Sequence, residues 1–332
     1  MNKYEKDLKV TIGITCFNAE ETIQKSIESA LNQSWLNKEI IIVNDASIDN
    51  SNKIIKDFKN HKNIRILLNK KNMGAAYSRN LIIQESSGDI ICFMDDDDTS
   101  LSDRVEKQVK EITKIGNPKT DLIACTCSIM RKYQTGFNKK LSVMGKNGRL
   151  PKGNELANYL LFYENKKGVD YGFGLPTCSL AITKVSFAFV GNFDEKLRRV
   201  EDMDLSIRLS LNNAKFTSIK EILVIQNAIF KSHKSALINY ESEIKVIKKY
   251  KNYLSKLNIY SHSLQWPKLR YYYFTKRYLK LFITLIVLFS KSPLITFNHL
   301  RKTAFQRVLH DLKIKNKFFL KNFFEKIPRF IK

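Results

Sequence analysis

Proline and glycine are scarce in this chain, six and twelve of 332 residues, which excludes collagen-like and low-complexity architectures. Cysteine is sparse as well: five residues, an odd number without framework spacing, do not build a disulfide scaffold. Cys125 and Cys127 form an isolated C-x-C, and no second Cys or His cluster completes a tetrahedral zinc site. All five read as reduced thiols, which points to a cytoplasmic compartment. A secretory signal is missing: Met1 to Lys9 carries Lys, Glu and Asp, and the apolar run behind it, Val10 to Cys16, has the length of a strand. Long apolar runs are missing too. The strongest, Leu281 to Phe289 between Lys280 and Lys291, is less than half of the ~20 residues a spanning helix needs. The last third of the chain lacks acid. From Lys231 to Lys332 there are 23 Lys and Arg against 4 Asp and Glu, a net +19, whereas the first 230 residues hold 34 and 28, a net +6.

What is present is a hydrophobic fraction of 43%, enough for a full core. Strand runs alternate with helical patterns through the first 130 residues. Strands are expected at Val10–Phe17, Lys38–Val43, Ile64–Leu68, Asp89–Met94 and Asp121–Ile129. Helices are expected at Glu20–Asn32, Asn50–Phe58, Met73–Glu85 and Asp103–Ile115. This alternation means βαβ units, a mostly parallel sheet and helices on both faces. Arg131 to Asp170 reads as a loop with a helix around Glu155–Tyr163, followed by a helix at Glu201–Leu211 and a last strand at Ile222–Gln226. After Lys231 helices dominate, so the chain divides into a globular body, 1–230, and a basic, aromatic helical region, 231–332.

In open parallel sheets ligands bind where strands end. Strand one ends at Cys16-Phe17-Asn18-Ala19-Glu20, strand two at Asn44-Asp45-Ala46-Ser47, and the fourth long strand at Asp95-Asp96-Asp97-Asp98. Carboxylates gathered at one rim repel unless a cation or donor groups compensate them. A divalent metal with oxygen ligands does so, and its natural substrate is a phosphate.

These segments resemble the family 2 glycosyltransferases of the GT-A fold, particularly those of bacterial surface polysaccharide and lipooligosaccharide synthesis. Val10 to Asn18 looks like the opening strand, and Asn44-Asp45-Ala46-Ser47-Ile48-Asp49 is similar to the nucleotide motif Asp-Asp-Gly-Ser-x-Asp. Asn72, Gly74, Arg79 and Asn80 match the N-x-G-x-x-x-x-R-N segment. Gly88 to Asp98 resembles the Gly-Asp strand that leads into the DxD motif, and Gly191-Asn192-Phe193-Asp194-Glu195 with Glu201-Asp202-Met203-Asp204 resembles the acceptor-side Glu-Asp motif. Asn44 stands where the family carries its first aspartate, which shifts nucleotide contacts toward Asp45. Cys16 and Phe17 replace Thr and Tyr at a place where the family uses backbone groups.

The resemblance implies a GT-A-type α/β/α sandwich and an inverting enzyme, a hexosyl- or N-acetylhexosaminyltransferase. Its donor is a nucleotide sugar, foremost a UDP-sugar, its acceptor a hydroxyl of a glycan or lipid-linked glycan, and its cofactor Mn²⁺ or Mg²⁺. Asp97 is the expected direct metal ligand, Asp95 a ribose contact or part of the metal shell, and His233 a further possible ligand. Cys16, Phe17, Asn18, Glu20, Asp45, Arg79, Asp96 and Glu201 are the expected substrate contacts, Arg79 through the fit of guanidinium to planar anions. Asp202 is the expected general base, and Asp204 is read as structural. Thr177-Cys178-Ser179 is expected near a sugar, with no partner that would make Cys178 a nucleophile. A nucleotidyltransferase is the rival enzyme, yet Ala19-Glu20-Glu21-Thr22 is no Gly-rich phosphate loop.

Phe305, Val308, Leu309, Leu312, Phe319, Phe323 and Ile327 recur at helical spacing among Lys and Arg, as in helices lying in a membrane interface. Two readings of the basic region stand: peripheral attachment to the anionic inner face of the cytoplasmic membrane, or a helical subdomain packed on the body. Nucleic acid is not an expected partner, since no reading module is recognisable.

Overall fold

The computed structural model describes residues 7–133, 136–228 and 235–301. They form two compact units, Met1–Met130 with Lys140–Gln226 and Arg131–Lys139 with Asn227–Lys332.

In the first unit, strands β1 (Val10–Cys16), β2 (Lys38–Asn44), β3 (Ile64–Leu68) and β4 (Ile90–Asp95) alternate with helices α1 (Ile23–Leu31), α2 (Ser51–Asp57) and α3 (Ala75–Glu85). The strands pair in parallel in the order β3-β2-β1-β4. Cys16 lies opposite Asn44 and Thr15 opposite Asp95, so β1, β2 and β4 end level with one another. Their loops therefore converge on one rim.

The chain continues through β5 (Asp98–Ser100), α4 (Arg104–Ile115), β6 (Ile123–Tyr133), β7 (Asn138–Leu141), α5 (Glu155–Phe162), a 3-10 turn (Thr177–Ser179) and β8 (Ala181–Thr183). Then come α6 (Lys184–Val190), α7 (Glu201–Leu211) and β9 (Lys215–Ala228). The sheet extends past β4 in the order β8-β6-β9-β5. β8 runs antiparallel to both β4 and β6, and β5 antiparallel to β9, so the sheet is mixed though mostly parallel along its first half. β5 and β8 have three residues each, too few to carry a readable alternation. β9 begins at Lys215 rather than at Ile222, because Lys, Ser and Thr in its first half hide the strand pattern.

Alternation along the strands splits the core in two. Ile12, Ile14, Ile40, Ile42, Ile90 and Cys92 face Ile23 and Ile27 of α1, Ile55 of α2 and Val105, Val109 and Ile112 of α4. Ile41, Val43, Ile91 and Phe93 face Ile82 and Ile83 of α3, Phe187 of α6 and Leu205 and Leu209 of α7. This is the three-layer α/β/α arrangement that period-two strands buried on both faces require. Gly13 permits the close approach of α3, because a Cβ there would lie 2.5 Å from Ile82 Cγ2.

The second unit includes α8 (Ala236–Lys249), α9 (Lys251–Lys256), α10 (Tyr260–Phe274) and α11 (Tyr278–Lys291). Ser235 caps α8, its Oγ accepting from Leu237 N at 3.2 Å. Tyr240 stacks on Tyr271, and Trp266 stacks on His299 and lies over His262, joining α8, α10 and residues 293–301. The apolar run of α11 packs Leu281, Leu285 and Leu288 with Trp266 and Leu269 of α10. No described helix is long and apolar enough to cross a membrane. The helical pattern from Phe305 to Ile327 lies outside the described residues.

One polar cluster ties the rim to the core. Arg104, fully buried, donates through Nη2 to Phe93 O of β4 at 3.0 Å, through Nη1 to Ser100 Oγ of β5 at 2.8 Å, and through Nε to Gln108 Oε1 at 3.0 Å. Gln108 Nε2 in turn donates to Cys125 O and Ser179 O at 3.1 and 2.9 Å. Gln108→Met would remove the acceptor of a buried guanidinium N–H and the side-chain donor to two carbonyls. The expected loss is about 3 kcal/mol of unfolding free energy, read from urea melts; a loss below ~0.5 kcal/mol would show that the cluster does not support the fold.

Candidate active site

The rim is built from loops that bind each other. After β1, Asn18 adopts φ 52°, and its N–H donates to Ser47 Oγ while its Oδ1 accepts from Ile48 N. Glu20 N donates to Asp49 Oδ2, and Glu20 Oε2 accepts from Asn50 N and Nδ2. The Cys16–Glu20 turn and the loop after β2 are thus one hydrogen-bonded surface. Cys16 itself is buried, its thiol pushed up to about 12 by burial and by Asp96, so only its backbone faces chemistry. Phe17 is 46% exposed and donates its N–H to Asp96 Oδ2 at 2.8 Å.

Asp45 is buried and fully engaged. Oδ1 accepts from Asn69 Nδ2 and Met73 N, and Oδ2 accepts from Gly74 N at 2.7 Å. Gly74 sits at φ +94°, a backbone that favours glycine, and its N–H aims at Asp45 as α3 begins. Asp45 therefore braces the start of α3 and, through it, Arg79. Arg79 is 5% exposed; its Nη1 donates to Glu201 Oε1 at 2.5 Å and its Nη2 to Asp95 Oδ1 at 3.1 Å. This guanidinium joins the strand-end rim to the acidic start of α7 across 122 residues of sequence. Both Nη groups are held by carboxylates, an arrangement that positions Asp95 and Glu201.

Asp202 stands beside that pair. Burial first and Glu201 second push its carboxyl up to about 6, against the pull of Arg79. Asp204 is fully buried and pairs with Arg208 at 2.9 Å, and Arg208 also binds the carbonyls of Val190, Gly191 and Asn192. Asn80 receives the same segment from the other side, donating to Phe193 O and accepting from Phe193 N. The Asn80 and Gly191–Glu195 motifs are thus structural partners.

At the rim itself, burial followed by Asp97 and Asp95 pushes Asp96 up to about 7, while the Phe17 N–H opposes the shift. Asp98 is 2% exposed, and its Oδ1 has no hydrogen-bond partner. Burial, Asp95 and Asp97 drive its carboxyl strongly upward. The ligand atoms of Asp95, Asp98 and Cys178 lie within 4.8 Å of one another. Burial and both aspartates hold the Cys178 thiol protonated, which excludes it as a thiolate nucleophile. Crowded carboxyl oxygens with an orphaned buried acceptor fit a divalent, oxygen-preferring cation. Asp97 is half-buried next to them, and His233 lies outside the described residues.

The convergence of Asp98 and Cys178 with Asp95 was not legible from spacing. For Arg104 a signal existed: polar Arg104 and Gln108 share the buried face of α4 with Val105, Val109 and Ile112.

The family model described as glycosyl transferase family 2 matches residues 11–177, half of the chain, and the chain belongs to that family. It is 26% identical over 316 residues to an uncharacterized glycosyltransferase of Haemophilus influenzae, covering 88% of this chain and 100% of that one. It is 35% identical over 108 residues to the UDP-Glc:alpha-D-GlcNAc-diphosphoundecaprenol beta-1,3-glucosyltransferase WfgD of Escherichia coli, 32% of this chain and 42% of that one. In the shorter matches of higher identity the chain spans 15–42% of the relative's length. Among solved structures, S. aureus TarS 1–349 in complex with UDP-GlcNAc shares the fold with a TM-score of 0.60 at 16% identity, covering 87% of this chain and 83% of that one.

The charge crowding sets a pH dependence. An acid whose folded pKa is raised binds its proton longer in the folded state than in the unfolded one. The stability it contributes is present at low pH and lost as pH rises through the folded value, here about 7 for Asp96. Asp96→Asn, which still accepts from Phe17 N, is expected to outperform the parent protein increasingly between pH 5 and pH 8. The advantage should grow by about 1–2 kcal/mol after allowance for solvent screening, measured by chemical denaturation without added metal. An advantage that shrinks with pH would overturn the assignment.

Proposed function

We propose that this chain is an inverting, metal-dependent glycosyltransferase. It moves a hexose or N-acetylhexosamine from a nucleotide sugar, a UDP-sugar, to a hydroxyl of a glycan or lipid-linked glycan in cell-surface polysaccharide synthesis. The observation that carries this reading is Arg79, whose two Nη groups bind Asp95 of the strand-end rim and Glu201 next to Asp202. Donor-side and acceptor-side motifs thereby meet at one guanidinium. The relatives support the substrate classes: the name of WfgD records a UDP-Glc donor and a diphosphoundecaprenol-linked acceptor, and TarS has been solved with UDP and with UDP-GlcNAc.

In this mechanism the turn after β1 and the loop after β2 receive the nucleoside, with Phe17 as the exposed aromatic surface for the base. Asp97 and Asp95 would hold Mn²⁺ or Mg²⁺. When bound, the ion supplies positive charge to the departing diphosphate. Asp202 accepts the proton of the acceptor hydroxyl. The oxygen's freed electron pair forms the bond to the anomeric carbon as the bond from that carbon to the diphosphate oxygen breaks. A single displacement from the opposite face inverts the configuration. A base near pH 6 is deprotonated at neutral pH and still basic enough to assist proton loss.

Two substitutions test the halves separately. Asp97→Ala is expected to abolish the Mn²⁺-dependent part of UDP binding, measured by calorimetry with and without the metal; unchanged affinity in the presence of Mn²⁺ would remove Asp97 from the metal site. Asp202→Asn is expected to keep donor binding and lose ~10²–10⁴-fold in transfer rate. In the parent enzyme, kcat/KM should fall tenfold per unit as pH drops below about 6. A loss under tenfold in Asp202→Asn points to another base.

A further inference from the structure

Helix α11 is apolar on two faces and uses one of them inside its own unit. Leu281, Leu285 and Leu288 pack with Trp266, Leu269 and Leu300, and Thr284 on the same face returns its hydroxyl to Lys280 O. The opposite face carries Leu279, Phe282, Ile283, Ile286 and Phe289, exposed by 75, 61, 52, 54 and 39%. Their spacing of three and four puts them on one stripe. Isolated exposed apolar residues need no explanation, whereas a continuous stripe marks an interaction surface.

The charge around the stripe has a single sign. Residues 244–301 contain twelve Lys and Arg and no Asp or Glu. Lys276, Arg277 and Lys280 are exposed at the start of α11, and Lys291 is exposed at its end. A surface that matches both features is apolar beneath and anionic above, which is the headgroup boundary of an anionic bilayer. Nucleic acid would match the cations and leave the stripe in water. The 14 residues of α11 extend about 21 Å, short of a ~30 Å hydrocarbon core, so the helix lies in the interface and does not cross it.

We propose that the exposed stripe of α11, Leu279 to Phe289 with its flanking Lys and Arg, is a docking face for an anionic lipid bilayer. The cations gather the protein to the surface, and the stripe enters the headgroup–acyl boundary. The consequence is delivery of the enzyme to acceptors that are themselves anchored in lipid. That consequence rests on the proposed sugar transfer, whereas the docking itself does not, and the sugar-transfer reading stands whether or not this face binds lipid.

The test uses the full chain carrying an environment-sensitive fluorophore through Phe282→Cys. The five native cysteines are buried, so labelling is selective. Vesicles of phosphatidylcholine alone are compared with vesicles of equal phosphatidylcholine and phosphatidylglycerol. The expected result is a blue shift with the anionic vesicles only, reduced at high salt. In co-sedimentation of unlabelled protein, Ile283→Ser with Ile286→Ser should weaken partitioning by about tenfold or more with an unchanged circular dichroism spectrum. Lys276→Ser with Lys280→Ser should weaken it mainly at low salt. No shift with either vesicle overturns the proposal, as does a shift already present without vesicles, which would mean that protein covers the stripe. Concentration-dependent dimerisation abolished by the Ser substitutions would reassign the face to self-association and overturn it as well.

Discussion

The interaction on which the rest of the site depends is the ion pair of one buried guanidinium with two carboxylates. Level strand ends bring Asp45, Asp49 and Asp95 to Asp98 to one edge of the sheet, and α7 adds Glu201 and Asp202. Like charges at this density oppose folding unless each is answered locally. Arg79 answers Asp95 and Glu201, three donors from the Asn69–Gly74 segment answer Asp45, and the Phe17 N–H answers Asp96. Asp96, Asp98 and Asp202 remain under-compensated, and all three resist ionisation.

The same bonds make the site rigid. Each contact between Arg79 and Glu201, Asn80 and Phe193, or Glu20 and Asn50 joins segments that are distant in sequence, so local movement of one loop strains another. Arg104 adds a second anchor from below by gripping both β4 and β5 around the acidic turn. Its charge also pulls against the upward shift of Asp98 and Cys178. Preorganised groups of this kind are effective because they need not reorganise when charge moves.

The second unit follows another logic. Among its described residues, aromatic stacking and one face of α11 bring the helices together. Buried His262 is held below the ordinary imidazole range by burial, and Glu243 pairs with Arg270 at the edge of a stretch without further acid. A helix that is apolar all round is normally enclosed, and here one side is open.

What the sequence determined by itself was everything periodic or contiguous. The strands at Val10, Lys38, Ile64 and Ile90 and the helices behind them follow from alternation and from the 3.6-residue repeat, which are local properties. The acidic turn at Asp95–Asp98 and the acidic helix start at Glu201 were visible as runs. Only the tertiary structure decided which carboxylates meet: that Arg79 lies between Asp95 and Glu201, that Asp45 braces α3, and that Cys178 comes beside Asp98. It also inserted β8 antiparallel between β4 and β6, from three residues that carry no pattern. The physical reason is common to these cases. Pairing across a sheet and between layers depends on chain closure over many tens of residues, and spacing along the sequence holds no record of it.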